Sequence, residues 1–389
     1  MKYVVVGNYG AQNLGDEMIL EGMIEMLKKA DSSAEICVLK GNEKFPAGIK
    51  SGIKWIFGGN KNTKEKVKDC DYFVLGGGGL FGSISQYANV IWGLQASYAY
   101  RNKKPVLMLG QSVGKIKNRY IKKLVKNLFN KADLISVRDL KSKENLKEIG
   151  VTKKIVVVPD LAFKRPEGLP TKKCERAEGA NSMDDNPQNS NSYDEKQMHL
   201  HGIDDSSVPS KDIIIALRQM KGLPQSFKIQ IARFVEWLKQ EEKLNVKFVN
   251  FQTGKVDNDE KLHEEIKGMI GDSTIEIISP KSTEEAMNLF ENASFSLCMR
   301  LHSIITAMLT NTPFVAINYA EKVENLMDYM GSKENLLEME NVSFETLKNL
   351  YNKTTKEFAR STRSYLKVGN PSGRLEEFIS LYLRKLQKK

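Results

Sequence analysis

Short apolar runs recur along the chain, with amphipathic stretches between them. The sequence opens with "KYVVVG", a strand pattern. Residues 16–29 then place Ile19, Leu20, Met23 and Leu27 on one helical face, the spacing of a half-buried helix. "AEICVL" and "DYFVLGGGG" read as strands, residues 86–101 as a helix, "PVLMLGQSV" as a strand and residues 118–131 as a basic amphipathic helix. "ADLISVRD", the short helix "KSKENLKEIG" and "KIVVVPD" complete a first unit. Apolar strands alternating with helical patterns predict a parallel sheet covered on both faces.

Residues 164–211 break this rhythm. They contain neither Phe nor Trp, are dense in Asn, Ser, Asp, Lys and Pro, and cannot bury enough apolar area to offset their chain entropy. A disordered linker or insertion is expected there. His199 and His201 lie inside it without Cys or carboxylate neighbours at a zinc spacing, so they read as incidental rather than as metal ligands. The alternation then resumes with "DIIIALR", a helix over 226–240, "VKFVNFQ", a helix over 257–270, "TIEIIS", a helix over 282–292, "SFSLCMR", the helical "LHSIITAMLTN" and "PFVAINY". The remainder reads as helical, ending in "RLEEFISLYLRKLQKK". The expected fold class is α/β, with two Rossmann-like domains facing a cleft. Residues 1–163 and 212–368 form the domains, residues 164–211 join them, and a C-terminal helix at 369–389 is free to pack back on the first. Ligands of open α/β sheets sit beyond the carboxyl ends of the strands, which makes every strand-to-helix loop a candidate.

Composition narrows the function classes. A chain of 389 residues with 41% hydrophobic residues can build two real cores. The net charge of +11 fits either a surface of solvated lysines or an anionic partner. No aromatic-basic RNA motif, zinc finger or DNA-reading basic helix is present, so nucleic acid is not expected. Cys37, Cys70, Cys174 and Cys298 form no CxxC pair and read as reduced thiols of a cytosolic protein. "MKYVVVGNYG" has too short an apolar run for a signal peptide, and no stretch approaches the roughly 20 apolar residues of a membrane span. A cytoplasmic protein is expected, with any membrane contact peripheral, at the inner face of the plasma membrane.

The loops carry the candidate chemistry. "GNYGAQNLGDEMIL" (7–20) holds Gly7, Gly10 and Gly15 ahead of a helix but is neither a Walker A loop nor GxGxxG. It is an anion cradle at a helix N-terminus or a tight turn capped by Asp16 and Glu17. "LGGGGLF" (75–81) suits close approach of backbone to an anion or sugar, or a crowded crossing of chain segments. Arg138 in "ISVRD" and Arg218 in "ALRQ" end strands; each is a local carboxylate partner or a guanidinium aimed into the cleft. "MRLHS" puts Arg300 and His302 where a strand becomes a helix, and "NYAEKVENL" brings Glu321 and Lys322 to the same rim. A helix start lowers the pKa of His302, while a bound dianion raises it.

Together, "NLGDEMIL" (13–20), "LGGGGLF", "GQSVGKI" (110–116), "ISVRDLKS" (135–142), "VPDLAF" (158–163), "IALRQ" (215–219), "MRLHS" and "INYAEKV" (317–323) resemble the polysaccharide pyruvyl transferase family. The resemblance runs in order through almost the whole chain. It implies a fold similar to GT-B glycosyltransferases with a closing C-terminal helix. It also implies transfer of pyruvate from phosphoenolpyruvate to two hydroxyls of a glycan residue, free or lipid-linked, as a cyclic ketal with release of phosphate. By the same resemblance His302, Arg138 and Lys322 form the essential set, with His302 as acid/base. Arg138, Lys322, Arg218 and Arg300 bind the donor. Asn13, Gly15, Asp16, Gly76, Gly77, Gly78 and Gln111 line the acceptor side. Neither a metal nor a redox cofactor is called for. The chain departs from the family pattern at Val113 and Lys115 and in the length of the 164–211 segment. Two other classes share the cleft and the glycine loops: a GT-B glycosyltransferase using a nucleotide-sugar, and a non-catalytic glycan-binding protein.

Overall fold

The computed structural model describes residues 1–39, 61–82, 86–163, 210–254 and 257–360, with 377, 379–382 and 384. The expected linker, apart from its last two residues, and most of the expected C-terminal helix lie outside the described residues. The first sheet has seven strands: β1 (Lys2–Val6), β2 (Glu35–Leu39), β3 (Tyr72–Leu75), β4 (Gly78–Phe81), β5 (Val106–Val113), β6 (Leu134–Val137) and β7 (Val156–Val157). Their order is β2-β1-β3-β5-β6-β7, with β4 beside β5, and every pairing is parallel. Among the described residues, five helices accompany it: α1 (Leu14–Ala30), α2 (Lys61–Asp69), α3 (Gln86–Arg101), α4 (Arg119–Lys131) and α5 (Leu140–Glu148).

The second sheet has six parallel strands: β8 (Asp212–Ala216), β9 (Asn245–Val249), β10 (Glu276–Ile278), β11 (Phe295–Cys298), β12 (Phe314–Asn318) and β13 (Leu336–Glu338). Their order is β10-β9-β8-β11-β12-β13, the 3-2-1-4-5-6 sequence of a Rossmann sheet. Its helices are α6 (Gln225–Gln240), α7 (Asp259–Ile270), α8 (Thr283–Glu291), α9 (Leu301–Leu309), α10 (Glu321–Tyr329) and α11 (Phe344–Arg360). Strand order reverses between β1 and β3 in one sheet and between β8 and β11 in the other. The loops after β1, β3, β8 and β11 therefore open onto the crevices where such sheets bind ligands.

The strands are apolar because helices cover both faces. β3, β6 and β11 are buried at every residue, which removes the polar alternation of a half-exposed strand. One core cluster lies on the outer face of each sheet. A third is shared: Met18, Ile19 and Met23 of α1 belong with Ile304, Ile305 and Met308 of α9. Thr306 Oγ1 lies 3.8 Å from Met18 Sδ across this boundary. Ile379 is fully buried in the same shared cluster.

Backbone pairing joins the units at the rim. Leu14 N donates to Phe251 O at 2.9 Å and Thr253 N to Gln12 O at 3.0 Å, forming an antiparallel bridge between Asn13 and Gln252. Gln252 Nε2 adds a bond to Ala11 O at 3.3 Å, and Thr283 Oγ1 donates to Glu21 Oε2. Two expectations change and one element is new. The last two glycines of "LGGGG" begin β4 instead of a loop. The charged stretch 61–69 forms α2, and residues 336–338, read as helical, form edge strand β13. Among the described residues, no helix is long and apolar enough to cross a membrane.

Candidate functional site

His302 is the second residue of α9, which starts as soon as β11 ends, with Arg300 at the N-cap. Its imidazole lies against Gly15. A Cβ added at Gly15 would stand 1.9 Å from His302 Nδ1 and 2.4 Å from Cγ. Gly15, expected on the acceptor side, is a spacer: only an absent side chain lets α1 approach the ring. Nε2 of His302 has no hydrogen-bond partner among the described residues and sits 4.0 Å from Asp160 Oδ2. Burial pushes the imidazole down to about 4, against the attraction of Asp160 and with the repulsion of Arg138, Lys322 and Arg300. The ring is thus neutral at pH 7.

Arg138 follows β6, where its backbone N bonds Gln111 O at 3.0 Å. Its Nη1 donates to Asp160 Oδ2 at 2.7 Å, and Asp160 Oδ1 accepts from Ala162 N at 3.0 Å. Burial alone would raise the Asp160 carboxyl, but Arg138 and His302 outweigh it and hold it below the usual carboxylate range. The neighbour in sequence, Asp139, spends its Oδ1 capping α5 through Ser142 N at 2.6 Å. The firm carboxylate partner of Arg138 is thus Asp160, which sits unremarked in "VPDLAF".

Asp16 is buried in the first turn of α1 and accepts from Asn8 Nδ2 at 2.7 Å. Burial raises its carboxyl to about 6, while Asn8, Lys322 and Arg138 pull the other way. Asn13, expected to face the acceptor, is the N-cap: its Oδ1 accepts from Gly15 N at 3.0 Å.

On the other wall, Lys322 is the second residue of α10 and its Nζ lies 5.2 Å from the ring centroid of Tyr319. Arg218, following β8, sets its Cζ 4.8 Å from the same centroid and donates from Nη1 to Tyr319 Oη at 2.9 Å. Burial would raise the Tyr319 phenol, but Lys322 and Arg218 lower it. Burial lowers the Lys322 ammonium, with Tyr319 opposing. Arg218, Tyr319 and Lys322 thus form a cation–phenol–cation stack on the unit that also carries His302, with Lys322 close enough to act on Arg138 and Asp16 of the first unit.

Arg300 does something else. It is 8% exposed, and all three guanidinium nitrogens are engaged, with bonds of 2.6 Å to Asp259 Oδ1 and 2.9 Å to Asp257 Oδ1. It was expected among the donor ligands; saturated by two carboxylates, it acts as a brace. Asp257 also accepts from Arg218 Nη2 at 3.1 Å, so the brace reaches the stack. Below it His263, fully buried and stacked on Phe248, accepts from Leu217 N and is pushed down to about 3 by burial, a neutral packing residue.

The second glycine run is crowded by its neighbours. A Cβ at Gly76 would lie 1.8 Å from Tyr9 Oη, and one at Gly77 would lie 2.9 Å from Gly110 O. Both glycines make room for packing. Gln111 is fully buried and ties its amide to the carbonyls of Leu75 and Gly76, so it does not reach the cleft. Gly78, at φ +98°, is the member that borders the site: a Cβ there would approach Asp16 Oδ1 to 3.4 Å. Among the described residues, no group of three His, Cys, Asp or Glu could hold a metal ion.

The arrangement puts a neutral imidazole and a carboxyl that burial raises to about 6 near long cations. It can bind a compact polyanion and move protons beside it. The sequence model of the family described as polysaccharide pyruvyl transferase matches residues 13–321. No curated protein matches the chain. Solved structures with similar folds include a UDP-GlcNAc 2-epimerase from Methanocaldococcus jannaschii, with TM-score 0.60, 12% identity and 100% of both chains covered. S. aureus MnaA with UDP has TM-score 0.58 and 13% identity over 98% of this chain and 97% of that one. The UDP-GlcNAc 2-epimerase of Neisseria meningitidis bound to UDP-GlcNAc has TM-score 0.54 and 12% identity, over 97% and 99%. At these identities the likeness is one of fold: two Rossmann-like domains in a GT-B-like arrangement.

Proposed function

Since the chain belongs to the polysaccharide pyruvyl transferase family, whose model spans residues 13–321, we propose that it moves pyruvate from phosphoenolpyruvate to two hydroxyls of a glycan residue, as a cyclic ketal. The observation that carries the reading is a neutral His302 with an Nε2 unpartnered among the described residues, near Arg138 and Lys322, with Arg218 joined to Lys322 through Tyr319. Phosphoenolpyruvate presents a carboxylate and a phosphate, and guanidinium forks with an ammonium suit both.

The proposed chemistry runs in three steps. A proton goes to the methylene carbon of the donor, which makes the adjacent carbon electrophilic. A glycan hydroxyl adds there and phosphate leaves. A second hydroxyl of the same residue closes the ring. Two hydroxyl protons are lost in total; one balances the new methyl group and the other leaves on phosphate. Neutral His302 is suited to take the hydroxyl proton, and the nearby cations stabilise charge on the departing phosphate. Bound dianion raises the imidazole pKa, so the same ring can return the proton. Asp16, with Gly78 beside it, is assigned to the acceptor side.

The test is phosphate release from phosphoenolpyruvate across a panel of glycan acceptors, with mass spectrometry of the products. Expected is acceptor-dependent phosphate and a glycan heavier by a pyruvyl ketal. Thermal protection by a UDP-sugar and none by phosphoenolpyruvate would overturn the donor assignment and favour glycosyl transfer.

A further inference from the structure

Residues 114–131 hold seven cations (Lys115, Lys117, Arg119, Lys122, Lys123, Lys126 and Lys131) and no acidic residue. α4 buries its other face, through Ile121, Val125, Leu128 and Phe129, so the cations are left on the solvent side. A charge run of this kind is by itself an ordinary solvated surface. Two apolar groups make it different. Tyr120 is 66% exposed and Leu140 is 65% exposed, the two most exposed large hydrophobics among the described residues. Both belong to the first turns of helices, α4 and α5, that follow the neighbouring strands β5 and β6. They stand at the carboxyl-end rim of the first sheet, the rim that also carries Arg138. The Arg119 guanidinium covers the Tyr120 ring at 4.7 Å and donates to its hydroxyl at 2.6 Å, which holds a cation and an amphipathic ring together at the tip.

We infer that this rim is a docking surface for an anionic lipid bilayer, with Tyr120 and Leu140 entering the headgroup region and the surrounding lysines meeting lipid phosphates. The apolar tips choose among the polyanions: a soluble acidic glycan or a nucleic acid has no use for exposed leucine, whereas tyrosine and leucine flanked by lysine suit the membrane interface. A basic residue near an anionic leaflet contributes about 1 kcal/mol, so a few of them with two shallow apolar anchors give reversible attachment. Docked this way, the rim with Arg138 faces the lipid, which suits an acceptor carried on a lipid. That last consequence rests on the proposed pyruvyl transfer; the surface itself does not.

Flotation of the full chain with vesicles tests it without donor or acceptor. Binding is expected to vesicles of phosphatidylcholine mixed with phosphatidylglycerol, not to phosphatidylcholine alone, and raised salt should release it. Lys115→Glu with Lys117→Glu and Lys123→Glu should cut partition at least about tenfold, given about fivefold per lysine lost. Tyr120→Ser with Leu140→Ser should reduce binding in low salt while leaving the charge untouched. All five positions are exposed, and unchanged circular dichroism would show that both variants fold. Absence of wild-type binding, equal binding to neutral vesicles, or indifference to both variants overturns the proposal. Loss with the charge variant but not with the apolar one points to a soluble polyanion and overturns it too. None of these outcomes bears on phosphate release in solution, so the reaction stands or falls separately.

Discussion

Gly15→Ala tests the core of the site. Its new Cβ would begin 1.9 Å from His302 Nδ1, 2.4 Å from Cγ and 2.6 Å from Cε1, where ordinary contact starts at 3.4 Å. One of the two must retreat by about 1.5 Å, the difference between 3.4 and 1.9 Å. The α1 backbone has little freedom, because Asn13 caps it and Leu14 N is bound to Phe251 O across the rim. The imidazole therefore moves. A catalytic group misplaced by about 1 Å costs about 100-fold, or about 2.7 kcal/mol of barrier, and this displacement is larger. Overpacking removes a further 1–3 kcal/mol or so of stability. Acceptor-dependent phosphate release measures the first effect. Carbon-13 labelled histidine measures its cause: the chain has 4 histidines, and the His302 titration should climb from about 4 toward the ordinary 6.5 as the ring leaves its buried position. Gly79→Ala, with nothing within 4 Å of the added carbon, is the control. A Gly15→Ala protein that keeps near wild-type turnover, or whose His302 still titrates near 4, refutes the reasoning.

Other changes separate chemistry from scaffolding. His302→Gln should abolish phosphate release while the melting temperature stays near wild type, and retained turnover would dismiss the acid/base role. Asp257→Asn removes charge shared by Arg218 and Arg300; KM for phosphoenolpyruvate should rise more than kcat falls, and the reverse would place Asp257 in the chemistry. Asp16→Asn should raise the apparent KM for the acceptor more than that for the donor. Stability should fall on acidification. His302 and His263 have folded pKa values near 4 and 3, below the ordinary 6.5, so their contributions are complete above pH 6.5 and are lost as pH drops through 6.5 toward those values. Asp16, raised to about 6, works in the opposite sense between 3.8 and 6. Chemical denaturation between pH 7 and 4.5 should show the net loss, and His302→Gln should flatten it.

The strands were legible because covering helices left β1, β3, β5, β8, β11 and β12 almost wholly apolar. α2 was not, since "KNTKEKVKD" offers only Val67 as a buried apolar anchor. β13, three residues long at a sheet edge, was absorbed into neighbouring helical periodicity. The cations were visible as strand-end residues, but their partners were not. Asp160 and Tyr319 lay inside quoted motifs, and Asp257 and Asp259 looked like an ordinary helix start in "DNDEK". A sequence records a carboxylate and a guanidinium without saying which of them meet, and the pairing of Arg300 with Asp257 and Asp259 is hidden for that reason. The glycines carried the same ambiguity. A missing Cβ shows that something comes close, not what: Tyr9 for Gly76, Gly110 O for Gly77 and the His302 ring for Gly15.

The rim bridge between Asn13 and Gln252 is made of main-chain atoms, with bonds from Leu14 N to Phe251 O and from Thr253 N to Gln12 O. Such a joint is indifferent to which side chains flank it and sensitive to how many residues there are. Most substitutions at positions 11 or 253 should be absorbed, whereas Gln12, at φ +57°, tolerates Gly or Asn better than a β-branched residue. Deleting one residue between Gly10 and Leu14 would slip the pairing by one position and carry Gly15 out of register with His302. The loop's length, more than its composition, keeps the two halves of the site in step.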